Sequence, residues 1–111
     1  MIHSIRAGLF AAFVALAGAP VVQAQTVNGD AEAAKNKVSM CIGCHGIPGY
    51  KTAYPVVYHV PKLVGQQPLY IVNALKAYKS GARSHPSMVG IAASLSEQDM
   101  ADLAVYYGGR K

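Results

Sequence analysis

Residues 41 to 45 read Cys41-Ile42-Gly43-Cys44-His45. Two residues three positions apart on a helix lie one above the other, so both thiols can face one flat ligand, and the histidine that follows can reach a metal at its centre. Cys-x-x-Cys-His is the attachment pattern of a c-type haem, whose two vinyl groups become thioethers with the two sulfurs. Imidazole ligates iron through one neutral ring nitrogen while the other donates its proton to an acceptor that fixes the ring. One covalently bound haem c is therefore the expected cofactor, with His45 as the proximal iron ligand.

Other uses of paired cysteines fit less well. A structural zinc site needs two further ligands, and His59 and His85 stand 26 positions apart, far from the usual H-x₃₋₅-H pairing. A redox dithiol would need strands and helices alternating around Cys41, and no such pattern is present. A plain Cys41–Cys44 disulfide leaves His45 unexplained.

The amino terminus has the three parts of a secretory signal. Met1 to Arg6 is short and positively charged, Ala7 to Ala19 is a run of small and apolar residues, and Pro20 leads to Val22-Gln23-Ala24, with cleavage expected after Ala24. An apolar run of thirteen residues falls short of the ~20 needed to span a bilayer, so no transmembrane anchor is expected after cleavage. The expected organisation is a cleaved signal over 1–24 and one domain over 25–111, exported to the periplasm.

Cleavage of the 111-residue chain leaves 87 residues, a size at which a chain buries only a modest core by itself. Phe10 and Phe13 leave with the signal and the chain has no tryptophan, so tyrosine is the only aromatic bulk of the mature domain. A haem would supply the missing large apolar group. Losing Arg6 leaves nine Lys and Arg against five Asp and Glu, a formal charge of +4, which two haem propionates would reduce to roughly +2.

The helices follow from local signals. Asn28 is a candidate cap, Asp30 and Glu32 put negative charge in a first turn, and Ala31, Ala34, Val38 and Cys41 share a face, which predicts one helix delivering the motif. Gly46 to Pro61, with Tyr50, Tyr54 and Tyr58, reads as an ordered loop at the haem edge. A second helix is predicted from Pro68 to about Ser80, stopped by Gly81, with Ile71 or Val72, Leu75 and Tyr78 inward. Arg83 to Met88 reads as turn. A closing helix is predicted from Ser96, where Ser-Glu-Gln-Asp is a near capping box, with Met100, Leu103, Ala104 and Tyr107 buried and Gly108 and Gly109 at its end. No β pattern, repeat or low-complexity run appears, so the expected class is all-α, with three to four helices around one haem.

From Gly29 to Tyr107 the chain resembles the small single-haem class I c-type cytochromes of bacteria. The resemblance rests on Cys41-Ile42-Gly43-Cys44-His45-Gly46, then Pro61-x-Leu63-x-Gly65-Gln66, then Tyr78-x-x-Gly81-x-Arg83, and finally Met88 leading to Leu103-Ala104-x-Tyr106. It implies a cytochrome c-like fold, Met88 as second axial ligand, and the Pro61 carbonyl as acceptor of the His45 proton. It also implies that Gly29 lets the first and last helices cross closely beside Tyr106. The tyrosine-rich loop before Pro61, with Val60 where many relatives have Gly, departs from that pattern.

Two other sulfurs and one imidazole compete for the sixth position. Met40 lies beside Cys41 on the attachment helix, Met100 occupies a core position where methionine is usually filler, and His85 is a second nitrogen candidate. With both axial positions filled the iron has no place for oxygen or peroxide, so the expected function is one-electron transfer and not enzymatic turnover. The expected role is a periplasmic carrier between a dehydrogenase or quinol-oxidising complex and a terminal oxidase or reductase. Its redox partners would dock through acidic surfaces on a basic rim of Lys51, Lys62, Lys76, Lys79 and Arg83, and no nucleic-acid partner is expected. A subunit held by one dehydrogenase, and a haem enzyme or gas sensor with an open axial site, are the alternatives.

Overall fold

The computed structural model describes residues 25–54 and 57–111, so the expected signal over 1–24 lies outside the described residues. The order of elements is α1 (Ala31–Ala34), α2 (Ser39–His45), β1 (Lys51–Thr52), β2 (Tyr58–His59), α3 (Pro68–Ser80), α4 (Pro86–Ala93) and α5 (Glu97–Gly108). Among the described residues the protein is mostly helical, as the sequence predicts, with five helices where three to four were expected.

The extra helices have identifiable physical causes. Asp30, and not Asn28, caps α1, its Oδ1 accepting from the amides of Glu32 at 2.8 Å and Ala33 at 3.4 Å. Asn28 is otherwise engaged, because its carbonyl accepts from Gln98 Nε2 at 3.3 Å and Gly29 lies against α5. A Cβ on Gly29 would stand 2.3 Å from the Ala101 carbonyl oxygen, and the Asp30 amide donates to Asp102 Oδ1 at 2.7 Å. The predicted single first helix is broken after Ala34. There the amides of Lys35, Asn36 and Lys37 bond back three residues, a tight turn that re-aims α2.

The second difference is α4. Residue His85 precedes a proline and is extended, with φ −161° and ψ 117°, and Pro86 occupies the first helical turn, where its missing N–H costs nothing. The expected turn from Arg83 to Met88 therefore ends at His85, and Met88 lies in the first turn of a helix. Inside the expected loop, Lys51 pairs with His59 and Thr52 with Tyr58 in a two-residue antiparallel ladder, a small strand element that no alternation announced.

The long helices match their local signals. Pro68 opens α3, Gly81 closes it with φ 82°, and Ile71, Val72 and Leu75 are buried while Tyr78 is half-buried. Ser96 and Asp99 complete a reciprocal capping box at the start of α5, whose buried face is Met100, Asp102, Leu103, Ala104 and Tyr107. The α5 helix packs on both α1 and α3, and α4 packs on α3. The core comprises Ala34, Ile71, Val72, Leu75, Leu95, Met100, Leu103, Ala104 and Tyr107. At the far end of α5, a Cβ on Gly108 would stand 2.6 Å from Pro68 Cγ, so the last turn of α5 lies directly on the first turn of α3.

Gly29→Ala should cost about 1–3 kcal/mol in a denaturant titration, because the methyl meets rigid backbone and not a movable side chain. The neighbouring Asn28→Ala, which preserves the carbonyl used by Gln98, is the control and should move the midpoint little. Asp99 gives a pH prediction. Hydrogen bonds from the Ser96 amide and hydroxyl, with Lys37 Nζ at 3.2 Å, hold its carboxyl below the usual value. A depressed folded value means that this stabilisation is fully present above about pH 4 and is lost as pH falls through the folded value. Asp99→Asn should remove that part of the acid dependence, measured as denaturation midpoints over a pH series.

Candidate haem-binding site

The attachment helix α2 buries none of its residues against protein. Cys41 is half-buried on its inner side, packed against the core, and Cys44 is exposed one turn further on, both as free thiols. Burial pushes the Cys41 thiol above its ordinary range, partly offset by a hydrogen bond with the Tyr107 hydroxyl. Burial likewise pushes Tyr107 up to about 12. Redox dithiols instead lower the attacking cysteine's pKa, so the environment of Cys41 favours a protonated, packed sulfur over a thiolate nucleophile.

His45 ends α2, and its Nδ1 lies 2.7 Å from the Pro61 carbonyl oxygen. A carbonyl only accepts, so Nδ1 carries the proton and the Nε2 lone pair is left for a metal. Sixteen residues separate the two partners, and this bond ties the loop after the hairpin to the attachment helix.

Met88 is half-buried and packs against the same core cluster as Cys41, Leu63, Val64 and Ile91. Met100 is 1% exposed within that core, the position of packing filler that its sequence context predicts. Met40 is exposed on α2, and His59 is exposed on β2.

Polar and aromatic side chains also gather between the hairpin, α3 and α4, a grouping that sequence reasoning did not assemble. Arg83 stacks over the Tyr78 ring at 4.9 Å and donates to the Tyr70 hydroxyl at 3.4 Å, the bond that chiefly raises its pKa. The His85 ring meets Tyr58 edge-on, with centroids 5.4 Å apart. Among the described residues, His85 Nδ1 is closed off from solvent and has no hydrogen-bond partner. Only the tyrosine-rich composition and the Tyr78-x-x-Gly81-x-Arg83 spacing pointed towards this cluster.

These residues fit a covalently attached haem. Two free thiols stand at helical spacing, an imidazole beside them has one nitrogen committed and the other available, and a thioether lies on the same core.

No family model matches the chain. Over 86 residues the chain is 37% identical to cytochrome c-554(548) of Halomonas halodenitrificans, a match covering 75% of this chain and 99% of that protein. It is also 37% identical over 83 residues to cytochrome c4 of Pseudomonas aeruginosa, which covers 75% of this chain but 39% of that one. A third relative, the thiosulfate dehydrogenase electron acceptor of Thiomonas intermedia, is 34% identical over 79 residues, 71% of this chain and 35% of its own length. The chain thus spans about two fifths of the cytochrome c4 it matches. Matched along nearly the whole of a small relative, with free thiols and imidazole at the spacing that covalent haem c requires, the chain belongs to the small class I c-type cytochromes.

Proposed function

We propose that the chain is an exported one-electron carrier in which Cys41 and Cys44 would hold haem c, and His45 and Met88 would ligate its iron. The observation that carries this reading is the 2.7 Å bond from His45 Nδ1 to Pro61, which fixes the ring and directs Nε2 outward as a ligand. When bound, the haem supplies a reversible one-electron change of its iron. The protein's part is to keep the iron closed. His45 would hold the iron through a ring that its bond to Pro61 keeps from turning, and Met88 through a thioether anchored by α4. A soft sulfur ligand favours the ferrous state and raises the potential.

Export is supported by the Met1 to Ala24 pattern, and among the described residues no helix is long and apolar enough to cross a membrane. The basic docking rim is narrower than the sequence suggested. Lys76 pairs with Glu97 at 3.2 Å, Lys79 donates to the Leu95 carbonyl, and Arg83 is held by Tyr70 and Tyr78. Lys51 and Lys62 are exposed on either side of the hairpin and Pro61, and they are the cations through which an acidic partner would approach. The Thiomonas relative is by name an electron acceptor of a dehydrogenase, which supports an exported dehydrogenase as donor. The same name favours a second reading, a cytochrome held tightly by one such enzyme, which co-purification would reveal.

Removing both thiols, Cys41→Ala with Cys44→Ala, should give a chain that neither retains haem nor folds, read by circular dichroism. A folded, haem-free product would show that the protein core suffices. Met88→Ala should keep the covalent haem, lower its potential, abolish the near-red sulfur-to-ferric-iron absorption band, and admit carbon monoxide to the reduced form. Met100→Leu, a nearly volume-conserving change costing under ~1.5 kcal/mol, should leave the spectrum as it is. The reverse pattern would make Met100 the ligand. Carbon monoxide binding by the unaltered protein at neutral pH would replace the carrier reading with a haem enzyme or gas sensor.

A further inference from the structure

The chain leaves α2 at His45 and returns to it at Pro61, and between the two it is bonded back on itself by a turn and a ladder. Ile47-Pro48-Gly49-Tyr50 is closed by the Tyr50 amide, which donates to the Ile47 carbonyl at 3.2 Å, with proline second and Gly49 at φ 70° third, the residues that a type II turn takes. On the return, the Val60 amide donates to the Tyr50 carbonyl at 3.0 Å. Beyond that bond Lys51 pairs with His59 and Thr52 with Tyr58, and the Thr52 hydroxyl donates to the Tyr58 carbonyl at 3.2 Å. The residue after Val60 is Pro61, whose carbonyl accepts the His45 Nδ1 proton at 2.7 Å.

The base of the hairpin therefore stands one residue from the acceptor. Without the Tyr50–Val60 bond, a loop spanning sixteen positions would be closed by the His45–Pro61 bond alone. With it, the ring through the turn, across to Val60 and on to Pro61 shrinks to about eight residues, which by loop-closure entropy favours the His45–Pro61 bond roughly threefold. Val60 and Pro61 add stiffness of their own, one β-branched with less backbone freedom than glycine and the other with φ set by its ring. The position of that carbonyl matters because the proton it accepts governs the other ring nitrogen. A stronger bond at Nδ1 makes Nε2 more basic and a better donor to iron, which favours the ferric state, and a weaker bond does the reverse. We infer that the hairpin is the positioning element of His45, with Thr52 and Val60 as positioning residues that hold the Pro61 carbonyl on Nδ1 and so set the donor strength of the ring and, through it, the potential. This rests on the reading of His45 as an iron ligand. It gives the loop that departs from the family pattern a task at the iron without requiring its tyrosines to touch the cofactor.

Loosening the hairpin should raise the potential and let the His45 Nδ1 proton exchange faster. Three variants of the holoprotein test this. Thr52→Val keeps the β-branched shape without the hydroxyl, Thr52→Ser keeps a hydroxyl, and Val60→Gly frees the backbone beside the acceptor. Potentials are measured by spectroelectrochemical titration at one pH and ionic strength, and the Nδ1 proton by nuclear magnetic resonance of the ferrous protein labelled with ¹⁵N-histidine. The expected result is a raised potential and faster exchange in Thr52→Val and Val60→Gly, with Thr52→Ser close to the unaltered protein. Variants that lower the denaturation midpoint but leave both readings unchanged would make the hairpin a purely structural element and overturn the inference, as would Thr52→Ser shifting as far as Thr52→Val. Hydrogen exchange of the unaltered holoprotein needs no variant. The Val60 amide and the His45 Nδ1 proton should be released by one opening, with rates that change together across a denaturant series, and an Nδ1 proton that stays protected where the Val60 amide exchanges freely refutes the coupling. In the ferric protein an iron-bound ring has strongly shifted resonances. A His45 ring without that shift would overturn the haem-site reading and this inference together, whereas an iron-bound His45 whose Nδ1 proton ignores the hairpin overturns this inference alone.

Discussion

At Gly29 the backbone runs so close to α5 that one added carbon would stand 2.3 Å from the Ala101 carbonyl oxygen, and the next amide along donates to the buried Asp102 at 2.7 Å. This crossing joins two segments more than seventy positions apart in the chain and closes the domain at its ends. Once α1 is pinned to α5, its cap must be Asp30, and the tight turn after Ala34 then sets the direction in which α2 leaves. The other end of α5 is pinned in the same manner, with Gly108 on Pro68 and the Gly65 amide donating to the Tyr107 carbonyl at 3.1 Å. What lies between these two fixed points is free to be shaped around a cofactor.

Charge follows the same division. The acidic side chains are used at the crossing and along α5. Asp30 caps α1, Asp102 accepts from the opposite backbone, Asp99 completes a capping box, and Glu97 meets Lys76. The remainder of the domain is left positive, an environment that suits a group with two carboxylates and that electrostatically favours an iron centre gaining an electron. Burying Asp102 without a cation is tolerable because its Oδ1 accepts from both the Asp30 amide and Gln98 Nε2, at 2.7 and 2.8 Å.

The hydrophobic core shows a corresponding economy. Met100, Leu103 and Leu95 are almost fully enclosed, but the helix with the thiols contributes no buried residue, and Ile42 and Ile47 are exposed beside it. In a chain this small a large apolar cofactor completes the core as well as carrying the chemistry. Aromatic bulk is arranged to match. Tyr107 backs Cys41 from within the core, while Tyr58, Tyr70 and Tyr78 group around Arg83 and His85.

Features written in neighbouring residues were legible in the sequence. The Cys-x-x-Cys-His spacing, the opening of α3 at Pro68 and its stop at Gly81, and the Ser96 to Asp99 box all act within one helical turn or two, so local chemistry suffices to decide them. Features settled by distant partners were not. Asn28 and Asp30 are both acceptable caps by local rules, and the choice falls to Asp30 because Gly29 and Asn28 are committed to α5. The segment from Arg83 to Met88 reads as turn from its Ser and Pro content, and from Pro86 onward it becomes helix, packed on α3. The two-residue ladder is too short for alternation to register. The residues of the candidate site were thus named by sequence order and spacing. Only tertiary structure brought the Pro61 carbonyl to His45, set Met88 on the core that Cys41 touches, and closed His85 off from water, because each depends on how chain-distant elements pack.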